Sequence, residues 1–214
     1  MEESTSKEKV LKKIRNALIY KSDNPFPKTD FDSEIYQPMD DAPEIIFAEE
    51  LTLAGGNFIY CENESDLIMQ LRLFSEEKNW QPIFCLDEAL QELLTFAKIP
   101  YTFEDKDFHD LKTACTRCEY LIARHGSVMV SSKHTSGRRL NVFPENHVVI
   151  AYTSQILPDL KQALITIKNK YNGNLPSFIS VITGPSRTAD IEKTLVMGAH
   201  GPRDLYVFLV EDNE

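Results

Sequence analysis

Alternation between short apolar runs and amphipathic segments is the feature of residues 45–214 that most constrains the fold. Apolar runs of strand length lie at 57–61, 82–86, 99–103, 127–131, 147–152, 178–183 and 205–210. Segments with helical apolar spacing lie at 66–77, 87–97 and 154–170. This repetition predicts an α/β domain with a mostly parallel sheet. The nearly continuous apolar run 178–183 predicts a strand buried on both faces, with 205–210 as its neighbour.

The first 44 residues have a different pattern. Residues 5–20 have apolar side chains at three- and four-residue steps with Lys and Arg between them, which predicts a helix. Residues 21–44 contain four prolines and seven acids, which is typical of an extended arm. We therefore expect a helix and acidic arm over 1–44 and an α/β domain over 45–214.

Charge is unevenly distributed along the chain. The 214 residues have a net charge of −10, but residues 1–107 hold 11 basic and 23 acidic side chains, whereas 108–214 hold 12 and 10. The overall deficit of positive charge argues against sequence-independent nucleic-acid binding. From Tyr120 to Pro144 there is no acid, which predicts either a local anion site or a basic solvated loop. A charged N-terminus and short apolar runs predict a cytoplasmic protein without a membrane span.

The segment 182–192 has the densest functional pattern. An apolar run leads into Gly184, Ser186, Arg187 and Thr188, and then into a stretch that we predict to be helical. Backbone N–H groups at a helix start, hydroxyls and an Arg fork together suit a carboxylate or a phosphate. The alternative is that a hydroxyl only caps the helix while Arg187 pairs with the acids that follow it.

Other candidate residues lie on either side of this segment. His200 stands between two glycines and, with Asp190 and Glu192, is a candidate catalytic residue; a structural turn is the alternative for His200. Further anion-binding candidates come from the acid-free stretch, where Gly126 and Ser127 precede a predicted strand and two adjacent arginines follow it: Arg138 and Arg139.

Metal and nucleotide chemistry find little support in the sequence. Cys115 and Cys118 form a CxxC, but Cys61 and Cys85 lie singly on predicted strands, so no second pair completes a zinc or cluster site. The chain contains no GxGxxG, Walker or GxSxG pattern. We therefore predict no metal and no cofactor in this chain.

The segment from Thr183 to Glu192, followed by Leu195, Gly198 and His200–Pro202, closely resembles the C-terminal signature of the lactate-utilisation protein C family, also called LUD-domain proteins. The resemblance extends more loosely to Gly126–Ser127 and 144–150, and so covers about residues 45–212. It implies a Rossmann-like fold related to the sugar-phosphate isomerase and CoA-transferase group. The family usually has an acid and Thr before the Gly-Ser pair, where this chain has Arg124 and His125.

The resemblance also implies a function. It points to the cluster-free component of a three-protein cytoplasmic system that oxidises L-lactate to pyruvate, in which the other two subunits hold iron–sulfur clusters. Such a component would bind a small carboxylate, with His200 as a proton carrier, and leave the electron chemistry to its partners. Two alternatives stay open: a non-catalytic assembly or regulatory subunit, and an isomerase- or ligase-like enzyme acting on a phosphorylated metabolite.

Overall fold

The structure is a computed structural model that describes residues 5–19, 23–30, 36–104, 111–191, 194–198 and 200–212. The chain divides into two compact units, Met1–Pro38 and Met39–Glu214. In the first unit the predicted helix is present as α1 (Ser6–Ile19). Thr5 and Glu8 exchange hydrogen bonds in a capping box at its start, and its apolar side chains are exposed.

The second unit contains four more α-helices and twelve strands within the described residues. The helices are α2 (Pro43–Leu53), α3 (Glu64–Glu77), α4 (Glu88–Phe96) and α5 (Leu160–Lys170). The strands are β1 (Asn57–Cys61), β2 (Ile83–Phe84), β3 (Tyr101–Thr102), β4 (Thr113–Arg117), β5 (Tyr120–Ile122), β6 (Ser127–Ser131), β7 (Asn146–Tyr152), β8 (Ile156–Leu157), β9 (Ile179–Thr183), β10 (Arg187–Ile191), β11 (Thr194–Met197) and β12 (Asp204–Val210).

A six-stranded sheet forms the centre of the unit in the order β1-β12-β7-β4-β2-β3, and all its pairs are parallel. This confirms the predicted α/β class with a mostly parallel sheet. β7 and β12 pair over seven residues in unbroken register, and nearly all their side chains are buried. Because both strands are covered on both faces, they have the continuous apolar runs that parallel sheets require.

A second sheet, which the sequence pattern did not predict, has four strands in the order β8-β5-β6-β9. Its β5–β6 and β6–β9 pairs are antiparallel, and β10 and β11 form a separate antiparallel pair. The prediction that 178–183 is buried on both faces beside 205–210 is therefore wrong. β9 is a half-exposed strand at the edge of the second sheet, and β12 lies in the central sheet between β1 and β7.

The two sheets and the helices stack in layers. Helices α3 and α4 cover one face of the central sheet, where Leu71 and Leu94 belong to the same core as Phe208. On the other face, Phe47 of α2 and Val128 of β6 share a core with β7 and β12. Helix α5 covers the outer face of the second sheet. Each sheet thus buries an apolar face against the other, and helices close both outer faces.

Local differences from the prediction have physical causes. Helix α2 occupies a segment assigned partly to the extended arm; its proline stands in the first turn, where the missing N–H is harmless. The apolar pattern does not predict strand β4, because Thr113 and Thr116 are polar. Both side chains are nevertheless buried, and the Thr116 hydroxyl is hydrogen-bonded to His147 Nε2 at 2.8 Å. Helix α5 begins at 160 rather than 154, because Asp159 is its N-cap and accepts from Gln162 N–H.

Candidate functional site

Two glycines of the family-like segments press against the last turns of helix α2. Gly126 adopts a left-handed conformation (φ 55°), and a Cβ there would lie 2.0 Å from the backbone nitrogen of Leu51. Gly184 is also left-handed (φ 67°), and a Cβ there would lie 2.3 Å from the carbonyl oxygen of Ala54. Only glycine allows both the conformation and the close approach. Three segments far apart in sequence therefore meet at one place.

Hydrogen bonds join these segments into what we call the signature cluster, which comprises Gly126, Ser127, Thr183, Gly184, Ser186 and Arg187. The hydroxyls of Ser127 and Thr183 lie 2.8 Å apart, and the first is buried while the second is exposed. Ser186 N–H donates to Pro202 O (2.8 Å), and its carbonyl accepts from Gly198 N–H (3.0 Å). Gly198 and Pro202, on either side of His200 in the sequence, are thereby held beside the cluster.

Arg187 holds the carboxyl end of α2. Its Nη2 donates to the carbonyl of Ala54 at 2.5 Å, so a cation lies at the negative end of a helix. The predicted helix after Ser186 is wrong: Arg187 begins β10, and Thr188 pairs with Val196 of β11. Because Arg187 begins a strand, no helix start supplies N–H groups at this point, and hydroxyls and the Arg187 guanidinium are the side-chain candidates for binding an anion.

The cluster lies at the amino edge of the central sheet. Gly56 directly precedes β1, and Arg203, which precedes β12, donates its N–H to Glu145 O just before β7 (2.8 Å). In open parallel sheets ligands usually bind at the opposite edge. In this chain that edge is acidic, because Arg117 of β4 is accompanied there by five acids after the strand ends: Glu62, Glu64, Asp87, Glu211 and Asp212.

The amino edge has a different charge balance. Arg187, Lys112 directly before β4 and Arg203 directly before β12 lie there, together with the acids Glu145 and Asp204. Because acids outnumber the arginine at the opposite edge but not the basic side chains here, the electrostatics favour the signature cluster as the anion site.

Not every predicted site residue joins the cluster. Arg138 donates to Ser177 Oγ (2.8 Å) and lies over the Phe178 ring, at the other end of the β6–β9 pair. Five-residue strands separate the two ends by about 13 Å. Arg139 is exposed in the same loop as Arg138. The acid-free stretch therefore does not form one site: Gly126 and Ser127 join the cluster at one end of β6, whereas Arg138 and Arg139 lie beyond the other end.

The remaining catalytic candidates are only partly described. The backbone of Asp190 lies in β10, but its side chain is outside the described part of the structure. Glu192 lies outside the described residues. His200 is exposed in the loop that Ser186 fixes.

A second polar cluster, around Glu119, was missed in the sequence. The side chain of Glu119 is fully buried and receives bonds from Ser131 Oγ (2.5 Å), Lys170 Nζ (2.7 Å) and Tyr171 Oη (2.7 Å), while His134 Nε2 lies at 3.4 Å. Burial alone raises the pKa of this carboxyl, but the bonds from these donors outweigh it and hold the pKa well below its usual range. The sequence feature that could have indicated this cluster is the position of Glu119 directly before the acid-free stretch 120–144.

The cysteines do not form a chelating group. Cys115 packs in the core beneath α3 and α4, whereas Cys118 packs in the core between the sheets. Burial raises the pKa of the Cys118 thiol to about 12. In the described residues no three His, Cys, Asp or Glu side chains are grouped as metal ligands. Among the same residues, no helix has the length and apolar character needed to cross a bilayer.

A six-stranded parallel sheet, layered with helices and a second sheet, places the second unit among Rossmann-like α/β domains. A crystal structure of a DUF162 family protein from Deinococcus radiodurans has the same fold, with a TM-score of 0.59 at 15% identity, covering 81% of this chain and 99% of that one. The LUD domain family model matches residues 102–210, about half of the chain. The chain belongs to this family.

Named relatives share the same region. Proteins called lactate utilization protein C from Bacillus licheniformis and Bacillus subtilis are 39% and 40% identical over 99 residues, which is 45% of this chain and 41% of each relative. An uncharacterized protein from Neisseria meningitidis is 33% identical over 119 residues, 56% of this chain and 51% of that protein. The match thus covers 41% of the length of these two lactate-utilisation relatives.

Proposed function

We propose that this protein acts in lactate utilisation, as the cluster-free component of an L-lactate-oxidising system, and binds a small carboxylate at the signature cluster. The names of its relatives support the pathway. One observation supports the site: Thr183, Ser186 and Arg187 lie in one short segment at the sheet edge opposite the acidic one. Bonds from Arg187 to α2 and from Ser186 to Pro202 hold this segment in place.

The donors suit a carboxylate. An Arg guanidinium has five N–H groups, and the bond from Arg187 to Ala54 O uses one of its nitrogens and fixes the plane of the fork. The Ser127 hydroxyl is buried beneath that of Thr183 and fixes its position. The Ser186 backbone is bonded to Pro202 and Gly198, and in this proposal its side-chain hydroxyl donates to the carboxylate.

In this proposal the chemistry is divided between subunits. Oxidation of lactate to pyruvate removes a hydride equivalent from the carbon and a proton from the hydroxyl, in total two electrons and two protons. His200, which is exposed, takes the hydroxyl proton. The partner subunits take the hydride equivalent, pass its two electrons to their iron–sulfur clusters and release its proton to solvent. Cys61, Cys85 and Cys115 are buried in one core and Cys118 in another, so the described cysteines do not suit an electron carrier.

Isothermal titration calorimetry with lactate and with pyruvate tests the site. We expect binding to the wild type and a loss of about 10- to 100-fold in Arg187→Gln, because a hydrogen bond to a charged group contributes about 1.5–3 kcal/mol. Arg138→Gln removes the same charge at the far end of β6 and should bind like the wild type. Thr183→Val, which leaves the bond to α2 intact, should also weaken binding.

Absence of binding by the wild type would refute the carboxylate site, as would equal effects of Arg187→Gln and Arg138→Gln. Circular dichroism and thermal melting must show that Arg187→Gln still folds, since this side chain also holds the end of α2. Should Arg187→Gln fail to fold, Thr183→Val decides the question.

An assembly role is the second candidate, and α1 supports it. Within the first unit every residue of α1 is exposed, including an apolar stripe of Val10, Ile14 and Leu18 flanked by basic side chains. We expect the full chain to co-purify with iron–sulfur partner subunits and a 45–214 variant to lose them. Undiminished co-purification of the shortened chain would exclude this role for α1.

A further inference from the structure

Strand β9 leaves one backbone edge open. The Met129 carbonyl accepts from Glu119 N–H (2.8 Å), so the backbone groups of Met129 point toward β5. Val181 lies opposite Met129, and in such an antiparallel pair both residues point their N–H and C=O away from each other. Val181 therefore directs both groups to the side away from β6. Because the pattern alternates, Ile179 and Thr183 do the same.

A second bond confirms this alternation. Ser132 N–H donates to Phe178 O at 3.0 Å. The backbone N–H and C=O groups of residues 180 and 182 therefore point toward β6, as the C=O of residue 178 does. Among the described residues β6 is the one strand that pairs with β9, and no hydrogen bond there uses the outward N–H or C=O of Ile179, Val181 or Thr183.

The edge has none of the features that usually prevent strands from pairing. β9 has no charged residue and no proline, and it pairs with β6 over all five residues without a bulge. Val181 is 40% exposed, and Thr183 is exposed as well. A neutral, regular, β-branched edge of this kind is suited to accept another strand.

We propose that β9 pairs antiparallel with β9 of a second copy of this chain, about a two-fold axis at Val181. Val181 then faces Val181, and Ile179 faces Thr183 of the second copy. The outward groups form roughly six N–H···O=C bonds, and neither copy of β9 brings a charged side chain into the pairing. Because the same strand serves both sides, the contact is isologous and closes at two copies. The two four-stranded sheets become one continuous sheet.

This pairing bears on the signature cluster but does not depend on its ligand. Thr183 belongs to both features, since its side chain bonds Ser127 while its backbone lies on the open edge. In the dimer, Ile179 of the second copy lies beside Thr183, so each copy forms part of the rim of the other's cluster.

Light scattering coupled to size-exclusion chromatography tests the proposal. The wild type should have twice the chain mass of 24.5 kDa. Val181→Lys and Val181→Glu should each be monomeric, because like charges then meet across the axis, and an equal mixture of the two should recover the dimer. Leu164→Lys, an equivalent change at an exposed apolar position of α5, should stay dimeric.

Val181→Pro provides a second test. It removes an outward N–H without touching the ladder to β6, and it should also give a folded monomer, as judged by circular dichroism. A wild type that is monomeric up to its solubility limit overturns the proposal and leaves the edge to a different partner. A dimeric Val181→Lys, or a mixture of the Lys and Glu variants that stays monomeric, overturns the two-fold pairing at Val181.

Discussion

Replacing Glu119 by Gln should strongly destabilise the second unit. The carboxylate of Glu119 joins three elements: Ser131 at the end of β6, His134 in the following loop, and Lys170 with Tyr171 at the end of α5. Gln keeps the size of the side chain but removes the charge, and its amide NH₂ presents donors to donors. The substitution thus breaks an ion pair and leaves buried hydrogen-bond donors without acceptors.

The size of the effect follows from burial. Removing one partner of a buried ion pair costs about 3–5 kcal/mol. The Glu119 side chain is fully buried, but that of Lys170 is 42% exposed and regains water when released, so we expect a loss near the lower end, about 3 kcal/mol. For a chain of this size that corresponds to a fall in Tm of about 6–12 °C.

Urea unfolding followed by circular dichroism measures the loss directly. Glu92→Gln, which removes the same charge from an exposed position on α4, is the matched control and should change the unfolding free energy by less than about 0.5 kcal/mol. A loss below about 1 kcal/mol in Glu119→Gln would refute the reasoning, because it would mean that the carboxylate is not the acceptor that holds the three elements.

The pH dependence gives an independent check. The folded-state pKa of Glu119 lies below its ordinary value of 4.5, so its stabilisation is present above that value and is lost as the pH falls toward the folded-state pKa. The difference in unfolding free energy between wild type and Glu119→Gln should therefore be largest at neutral pH and shrink on acidification. A difference that does not vary with pH would contradict the assignment.

Two further predictions concern buried backbone and a buried histidine. Gly126→Ala should lower the free energy of unfolding, measured in urea, by about 2–4 kcal/mol, because the added Cβ meets the backbone of α2. Gly173 is also left-handed but faces open space, so Gly173→Ala should lower it by about 1 kcal/mol. Equal losses would contradict the close approach of Gly126 to α2. Burial lowers the pKa of His147 to about 4, so the wild type should lose about 3 kcal/mol of stability as the pH falls from 6.5 to 4. His147→Gln should lack that slope, and an unchanged slope would place the titration elsewhere.

Particular elements show how far the sequence predicts this fold. The helix over 66–77 and the strand over 147–152 are present nearly as predicted, because their apolar spacing repeats over many residues. Asp87 begins the segment 87–97 with helical apolar spacing, and its carboxylate caps α4 by accepting from Leu90 N–H. It also binds Arg117, thirty residues away, which no local pattern indicates.

Part of the candidate site was predictable because its residues are neighbours in the sequence. Gly184, Ser186 and Arg187 stand together in a motif, so their proximity needs no tertiary structure. The contact of Gly184 and Arg187 with Ala54, and the bond between Thr183 and Ser127, join chain segments more than fifty residues apart.

The sequence by itself determined the α/β class, the parallel central sheet and the residues of the signature motif, because local periodicity and motif spacing are written in neighbouring residues. Only the tertiary structure decided that the apolar run 178–183 is an edge strand and that Arg187 begins a hairpin instead of a helix. It also decided that Arg138 is separated from Arg187 by the length of a strand pair. The physical reason is that an apolar run shows that a strand needs burial but not which sheet supplies it, and strand pairing joins residues that are distant in the chain.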